Sequence, residues 1–188
     1  MTEQIRVAGP RPYLLSVSDY LALDESGAFR GLRTELIGGE VIVMSPLYRP
    51  HAFVRDELAY RVRRGLEDLG SDLYVSTDGS VDMTDHDLPQ PDITLTREPR
   101  GEGAIPLGSI ALIVEVSDSS LRFDLDVKAP LYARHAVAEY WVADVNGRVI
   151  HQMWGPTPTG YQSDVSVPFG DTINSKVIGD LRVETGGL

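Results

Sequence analysis

Residues 110–116 read Ile-Ala-Leu-Ile-Val-Glu-Val, a run that is apolar on both faces of an extended chain except at Glu115. A strand with one wet face alternates apolar and polar side chains, whereas a run like this one belongs to a central strand covered on both sides. Helices are the usual cover, which makes the chain an α/β (α+β) protein with a mixed β-sheet flanked by α-helices. Glu115 then has no solvent to stabilise its charge, so it must be paired, hydrogen-bonded or bound to a metal. A structural ion pair and a functional site both meet that demand.

The neighbouring segments tilt the choice toward function. Pro91-Asp92 opens a strand over residues 92–96, with Asp92, Thr94 and Thr96 on one face and Ile93 and Leu95 on the other. A second carboxylate on an adjacent strand makes a perturbed, chemically useful pair with Glu115. Residues 117–126 then turn the chain into a helix that runs to about His135 or Val137, and Pro130 restricts its start to a few residues upstream. Lys128 therefore falls near a helix N-terminus, where a cation is unfavourable. Either local carboxylates or a functional demand hold it there, or it faces solvent in an extended first turn. Tyr132 follows four residues later and shares its face.

Elsewhere the pattern is more ordinary. Ser16 to Asp19 has the form of a capping box, and Gly27 ends the helix that it opens. Gly38-Gly39 suits a tight hairpin in which Leu36 faces Val41 and Glu35 lies opposite Ile42. Pattern alone makes Glu35 an exposed edge-strand carboxylate. Val54, Leu58, Val62, Leu66 and Leu69 recur at helical spacing, with Gly70 as C-terminal cap. The far face of that helix carries Arg55, Arg61, Arg63 and Arg64, interspersed with Glu57, Glu67 and Asp68, and His51 before it reads as a cap or surface residue. Residues 73–76 and 80–83 suggest a hairpin or bent ribbon, and the acidic loop through Asp82, Asp85, His86 and Asp87 lacks the spacing of a calcium loop. Asn146-Gly147 joins two antiparallel strands whose Tyr140, Trp141 and Trp154 read as core aromatics. Beyond Gly155-Pro156 the tail looks like peripheral packing.

Composition decides which ligands and partners are open to such a site. The 188 residues suit one domain at 13–188 with a flexible arm at 1–12, and no segment approaches the roughly 18 apolar residues of a membrane span. Met1 to Pro10 lacks the apolar core of a secretory signal, so a cytoplasmic location is expected. Without cysteine, a metal must be held by oxygen or histidine. The net charge of -11 repels DNA globally, which leaves Arg55, Arg61 and Arg64 as the local candidates for nucleic-acid contact.

Glu35-Leu36-Ile37-Gly38-Gly39-Glu40, Pro91-Asp92, Glu115-Val116-Ser117, Asp124 with Lys128 and Tyr132, and Glu139-Tyr140-Trp141 follow one another along the chain. In this order they resemble the Uma2 family, also called the domain of unknown function 820 family, of the PD-(D/E)XK nuclease superfamily. The resemblance spans roughly residues 16–154 and implies a restriction-endonuclease-like fold. It implies that Asp92 and Glu115 bind a divalent cation, with the Val116 carbonyl as a further ligand. Ser117 stands where the superfamily usually has its lysine, and Lys128 resembles the relocated lysine of this family. Glu35 matches an early acid that completes the site, with Asp124, Tyr132 and Ser117 in support. Ala136 stands where the family commonly has Gly, and Asn146 where a Pro often follows the Asp matching Asp144; both departures concern turns. The implied activity is Mg2+- or Mn2+-dependent hydrolysis of DNA phosphodiester bonds, in a homodimer by the habit of the superfamily. The other reading is a weak or inactive nuclease fold kept as a dimeric binding or regulatory module.

Overall fold

The computed structural model describes residues 9–188, so most of the expected arm at 1–12 lies outside the described residues. Its helices and strands run in the order α1 (Val17–Glu25), β1 (Arg33–Ile37), β2 (Glu40–Met44), α2 (Arg49–Asp68), β3 (Tyr74–Thr77), β4 (Val81–Asp82), β5 (Ile93–Thr96), β6 (Ile105–Pro106), β7 (Ile110–Ser117), α3 (Leu121–Phe123), α4 (Ala129–Arg134), β8 (Glu139–Asp144), β9 (Val149–Thr157), β10 (Gly160–Pro168), β11 (Thr172–Asn174) and β12 (Arg182–Glu184). A six-stranded sheet in the order β10-β9-β8-β7-β5-β3 forms the middle layer. The pair β7 and β8 is parallel and the other neighbours are antiparallel. Parallel neighbours need a crossover, and the helical segment between them provides it.

The run that begins at Ile110 occupies the centre as its pattern requires. Leu112, Val114 and Val116 pack with Val54, Leu58, Val62 and Leu66 of α2 on one face. Ile113 packs with Leu131, Tyr132, Tyr140 and Val142 on the other. Each fully buried aliphatic side chain contributes about 1.5–3 kcal/mol. Period-2 alternation places Glu115 on the Ile113 face, beneath the crossover. At the N-terminus the Ser16 capping box is formed, with Ser16 Oγ accepting from the Asp19 amide.

The hairpin register is the expected one, with Leu36 opposite Val41 and Glu35 opposite Ile42. Gly38 and Gly39 take φ of 60° and 78°, and a Cβ on Gly39 would come within 2.6 Å of the Leu14 side chain. The acidic loop serves this turn, because Asp87 Oδ1 accepts from the Gly38 amide at 2.6 Å and the His86 carbonyl from the Gly39 amide at 2.8 Å.

Three expectations are corrected. The helix after β7 starts at Leu121, passes through a wide π turn over Asp124–Lys128 and continues as α4, so Lys128 lies in its interior rather than near its start. The wide turn ends just before Pro130, which has no N–H to extend an ordinary ladder. Strands β3 and β4 do not pair with each other; β3 joins β5 at the sheet edge and β4 pairs in parallel with β6. The tail is integral: β10 extends the sheet, while Ile173, Leu181, Val183 and Leu188 enter the core against α2. Strands β11 and β12 are three residues each, too short to show a strand period, and tertiary packing supplies what the local pattern lacks.

Candidate functional site

β5 and β7 are antiparallel neighbours with Ile93 opposite Val114, which brings Asp92 and Glu115 together at one end of the pair. Both are buried, and the Asp92 amide donates to Glu115 Oε2 at 3.3 Å. Asp92 Oδ2 in turn accepts from the Val116 amide at 2.7 Å. The crossover then lowers Lys128 onto the pair. Its Nζ lies 2.9 Å from Glu115 Oε1 and 3.0 Å from Glu35 Oε2, joining β7 to the hairpin of β1 and β2. Tyr132, one turn later, donates its hydroxyl to the same Glu115 Oε1 at 2.8 Å.

Glu35 is therefore no edge-strand carboxylate in water. It is 1% exposed, because its outward face is covered by the crossover helix that a strand pattern cannot reveal. Asp124, also buried, accepts from Ser120 Oγ at 2.6 Å and makes a very short hydrogen bond with Ser117 Oγ. Sequence reasoning missed His51. It is buried, and its Nε2 lies 3.2 Å from both oxygens of Asp92. A signal was present: His51 precedes Val54 by three residues and Leu58 by seven, which puts it on the buried stripe of α2.

Burial drives the electrostatics. It pushes the Glu115 carboxyl well above its usual range, Lys128 opposes the shift, and repulsion from Asp92, Asp124 and Glu35 adds to it. Glu35 and Asp124 are raised by the same desolvation. Asp92 goes the other way: hydrogen bonding and charge from His51, the Val116 amide and Lys128 outweigh its burial and hold it below the usual value. Burial alone would lower Lys128, but Glu115, Glu35 and Asp124 raise it. The lysine is thus a fixed cation in the pH range of life.

A cavity of about 240 Å³ opens over these groups, lined by Glu35, His51, Asp92, Glu115, Asp124 and Lys128 among others. A larger cavity of about 550 Å³ lies between the end of α2, β3 and the 98–105 loop, and holds none of them. Of the arginines named from sequence, Arg55 pairs with Asp56 and Asp78, and Arg61 pairs with Glu57 and donates to the Glu184 and Gly186 carbonyls. Neither these two nor Arg64 lines the smaller cavity, whereas Arg33 does. Among the described residues no three His, Cys, Asp or Glu side chains converge as a closed metal cage. What converges is the pair Asp92 and Glu115, a donor set suited to an ion that keeps much of its water. No helix among the described residues is long and apolar enough to cross a membrane.

Comparison with known proteins identifies the family and the fold. The family model Uma2, described as "Putative restriction endonuclease", matches residues 17–185. No curated protein matches the chain. A crystal structure from Anabaena variabilis, described as "a putative nuclease belonging to DUF820", superposes with a TM-score of 0.62 at 15% identity. The match covers 86% of this chain and 89% of that one, and at this identity it establishes the shared fold.

Proposed function

The chain belongs to the Uma2 family, and from that premise we propose that it is a Mg2+- or Mn2+-dependent endonuclease hydrolysing phosphodiester bonds of DNA. The crowding of charge carries this reading: four buried carboxylates, Glu35, Asp92, Glu115 and Asp124, surround one buried lysine. So much negative charge in a poorly solvated pocket calls for a further cation. Asp92, Glu115 and the Val116 carbonyl would hold it, and the all-oxygen set suits Mg2+ or Mn2+. When bound, such an ion polarises a phosphodiester and lowers the pKa of a water.

The protein groups divide the remaining work. Lys128, kept protonated by its carboxylates, supplies positive charge where charge develops on the phosphate. Glu35 steadies the lysine from the hairpin side, and Tyr132 fixes the Glu115 oxygen that Lys128 shares. Asp124, with Ser117 and Ser120, anchors the wide turn that carries Lys128.

Plasmid nicking with Mg2+ or Mn2+, and with EDTA as control, tests the proposal. Metal-dependent nicking is expected, with a loss of at least about 100-fold in Glu115→Gln, since metal polarisation supplies several kcal/mol and roughly 1.4 kcal/mol is tenfold. Equal nicking by the variant sinks the mechanism. The engagement of Arg55 and Arg61 in internal pairs favours a second reading, a nuclease fold kept as a dimeric binding module. Under that reading plasmid stays intact with either metal, and sedimentation gives a dimer.

A further inference from the structure

Every polar group of Asp92 has a partner. Its amide donates to Glu115 Oε2 at 3.3 Å, and its carbonyl accepts from the Asp78 amide at 3.2 Å. Its carboxylate accepts from the Val116 amide at 2.7 Å and faces His51 Nε2 at 3.2 Å from either oxygen. Two of these contacts trace back to α2. His51 reaches the side chain directly, and Arg55, one helical turn later, holds Asp78 Oδ2 at 2.8 Å. Asp78 sits at φ 54°, a left-handed conformation that a non-glycine residue keeps only when its surroundings hold it.

Resting on the metal-site reading above, we infer that His51 is a positioning residue: its Nε2–H fixes the plane of the Asp92 carboxylate that holds the divalent cation, without itself binding the ion. The other ring nitrogen separates these roles. A histidine that ligates a metal almost always donates its second N–H to a carboxylate, carbonyl or water. Nδ1 of His51 is buried with no hydrogen-bond partner, so no acceptor is in place for a proton there. The hydrogen therefore belongs on Nε2, between the ring and both Asp92 oxygens. Such outer groups typically change metal affinity by about 10–100-fold. The burial of His51 on the apolar stripe of α2 gives it one orientation, and so gives Asp92 one.

The test is Mn2+ affinity by titration calorimetry, paired with pulsed EPR of the bound Mn2+, on wild type, His51→Ala and His51→Gln. Gln can place an amide N–H near the position of Nε2. Affinity is expected to fall about 10–100-fold in His51→Ala and to recover most of that loss in His51→Gln, with no directly bound nitrogen in the wild-type EPR spectrum. Thermal melts identify any variant whose fold is damaged; if His51→Ala is damaged, His51→Gln and the wild-type EPR spectrum still decide. A strong imidazole coupling in wild type that vanishes in His51→Gln overturns the assignment by making His51 a ligand. Unchanged affinity in a folded His51→Ala overturns it as well, while leaving the metal site intact. A wild-type protein that binds no Mn2+ removes both the metal site and this role.

Discussion

Glu115 and Glu139 are buried carboxylates on neighbouring strands of one sheet, and they are satisfied in opposite ways. Glu139 receives five uncharged donors: Trp141 Nε1 at 2.7 Å, Gln152 Nε2 at 2.6 Å, Ser175 Oγ at 2.6 Å, and the amides of Lys176 and Val177 at 2.9 and 3.2 Å. It ties the C-terminal segment to the sheet, and every lone-pair direction is used. Glu115 instead shares a single lysine with Glu35 and lies among Asp92 and Asp124, which repel it. Burial of a carboxylate therefore does not by itself mark chemistry. Neutral saturation marks a structural staple, and like-charge crowding marks a site with capacity for another cation.

The contrast breaks most sharply at Lys128. Lys128→Met leaves Glu35 and Glu115 unpaired and is expected to cost about 3–5 kcal/mol at neutral pH, read by urea unfolding. Mn2+ should restore part of that loss; a destabilisation under about 1 kcal/mol would mean that the carboxylates had simply kept their protons. Glu139→Ala comes next, because it orphans several buried donors at about 1–3 kcal/mol each. A net loss of about 3 kcal/mol lowers Tm by roughly 6–12 °C in a chain of this size. Here Mn2+ should add no more stability than it adds to wild type, and a special rescue would erase the distinction between the two carboxylates.

pH sharpens the comparison further. Glu115 in the fold has a pKa above its ordinary 4.5, so above about that pH the native state keeps a proton that the unfolded chain has released. The native state then binds more protons, and stability falls as pH rises through that window, by about 1.4 kcal/mol for each pH unit. Metal-free wild type should lose stability relative to Glu115→Gln from pH 4.5 upward. Parallel curves would show that Glu115 has no raised pKa. The smallest effect belongs to the turn between the two regions, where Ala136 is held at φ 60°. Ala136→Gly relieves that backbone and should stabilise by about 0.5–1 kcal/mol without altering nicking.

How much of this was legible in the chain depends on the range of each contact. Gly38-Gly39 fixes the hairpin register because the signal is local, and the apolar run through Glu115 announces a central strand by itself. The burial of Glu35 depends on Lys128, 93 residues away, and no pattern in β1 encodes it. His51 was visible only to a reader who extended the stripe of α2 back by one turn. Asp92 and Glu115 were found together because their strands are apolar, but the wide turn that aims Lys128 leaves no periodic trace in so short a segment. Ala136 is the reverse case: the resemblance flagged a missing glycine, and its positive φ gives the physical reason why glycine would suit that place.

The wide turn also changes what a residue number means. Between Asp124 and Ala129 the amide reaches back five positions instead of four, so the helix carries one residue more than an ordinary turn would need. Counting along the sequence is therefore out of step with travel around the helix axis. A relative with an ordinary turn here would bring its lysine to the same point in space from the neighbouring column of an alignment. For this crossover, the equivalent of Lys128 is defined by what its ammonium touches and not by its place in the count.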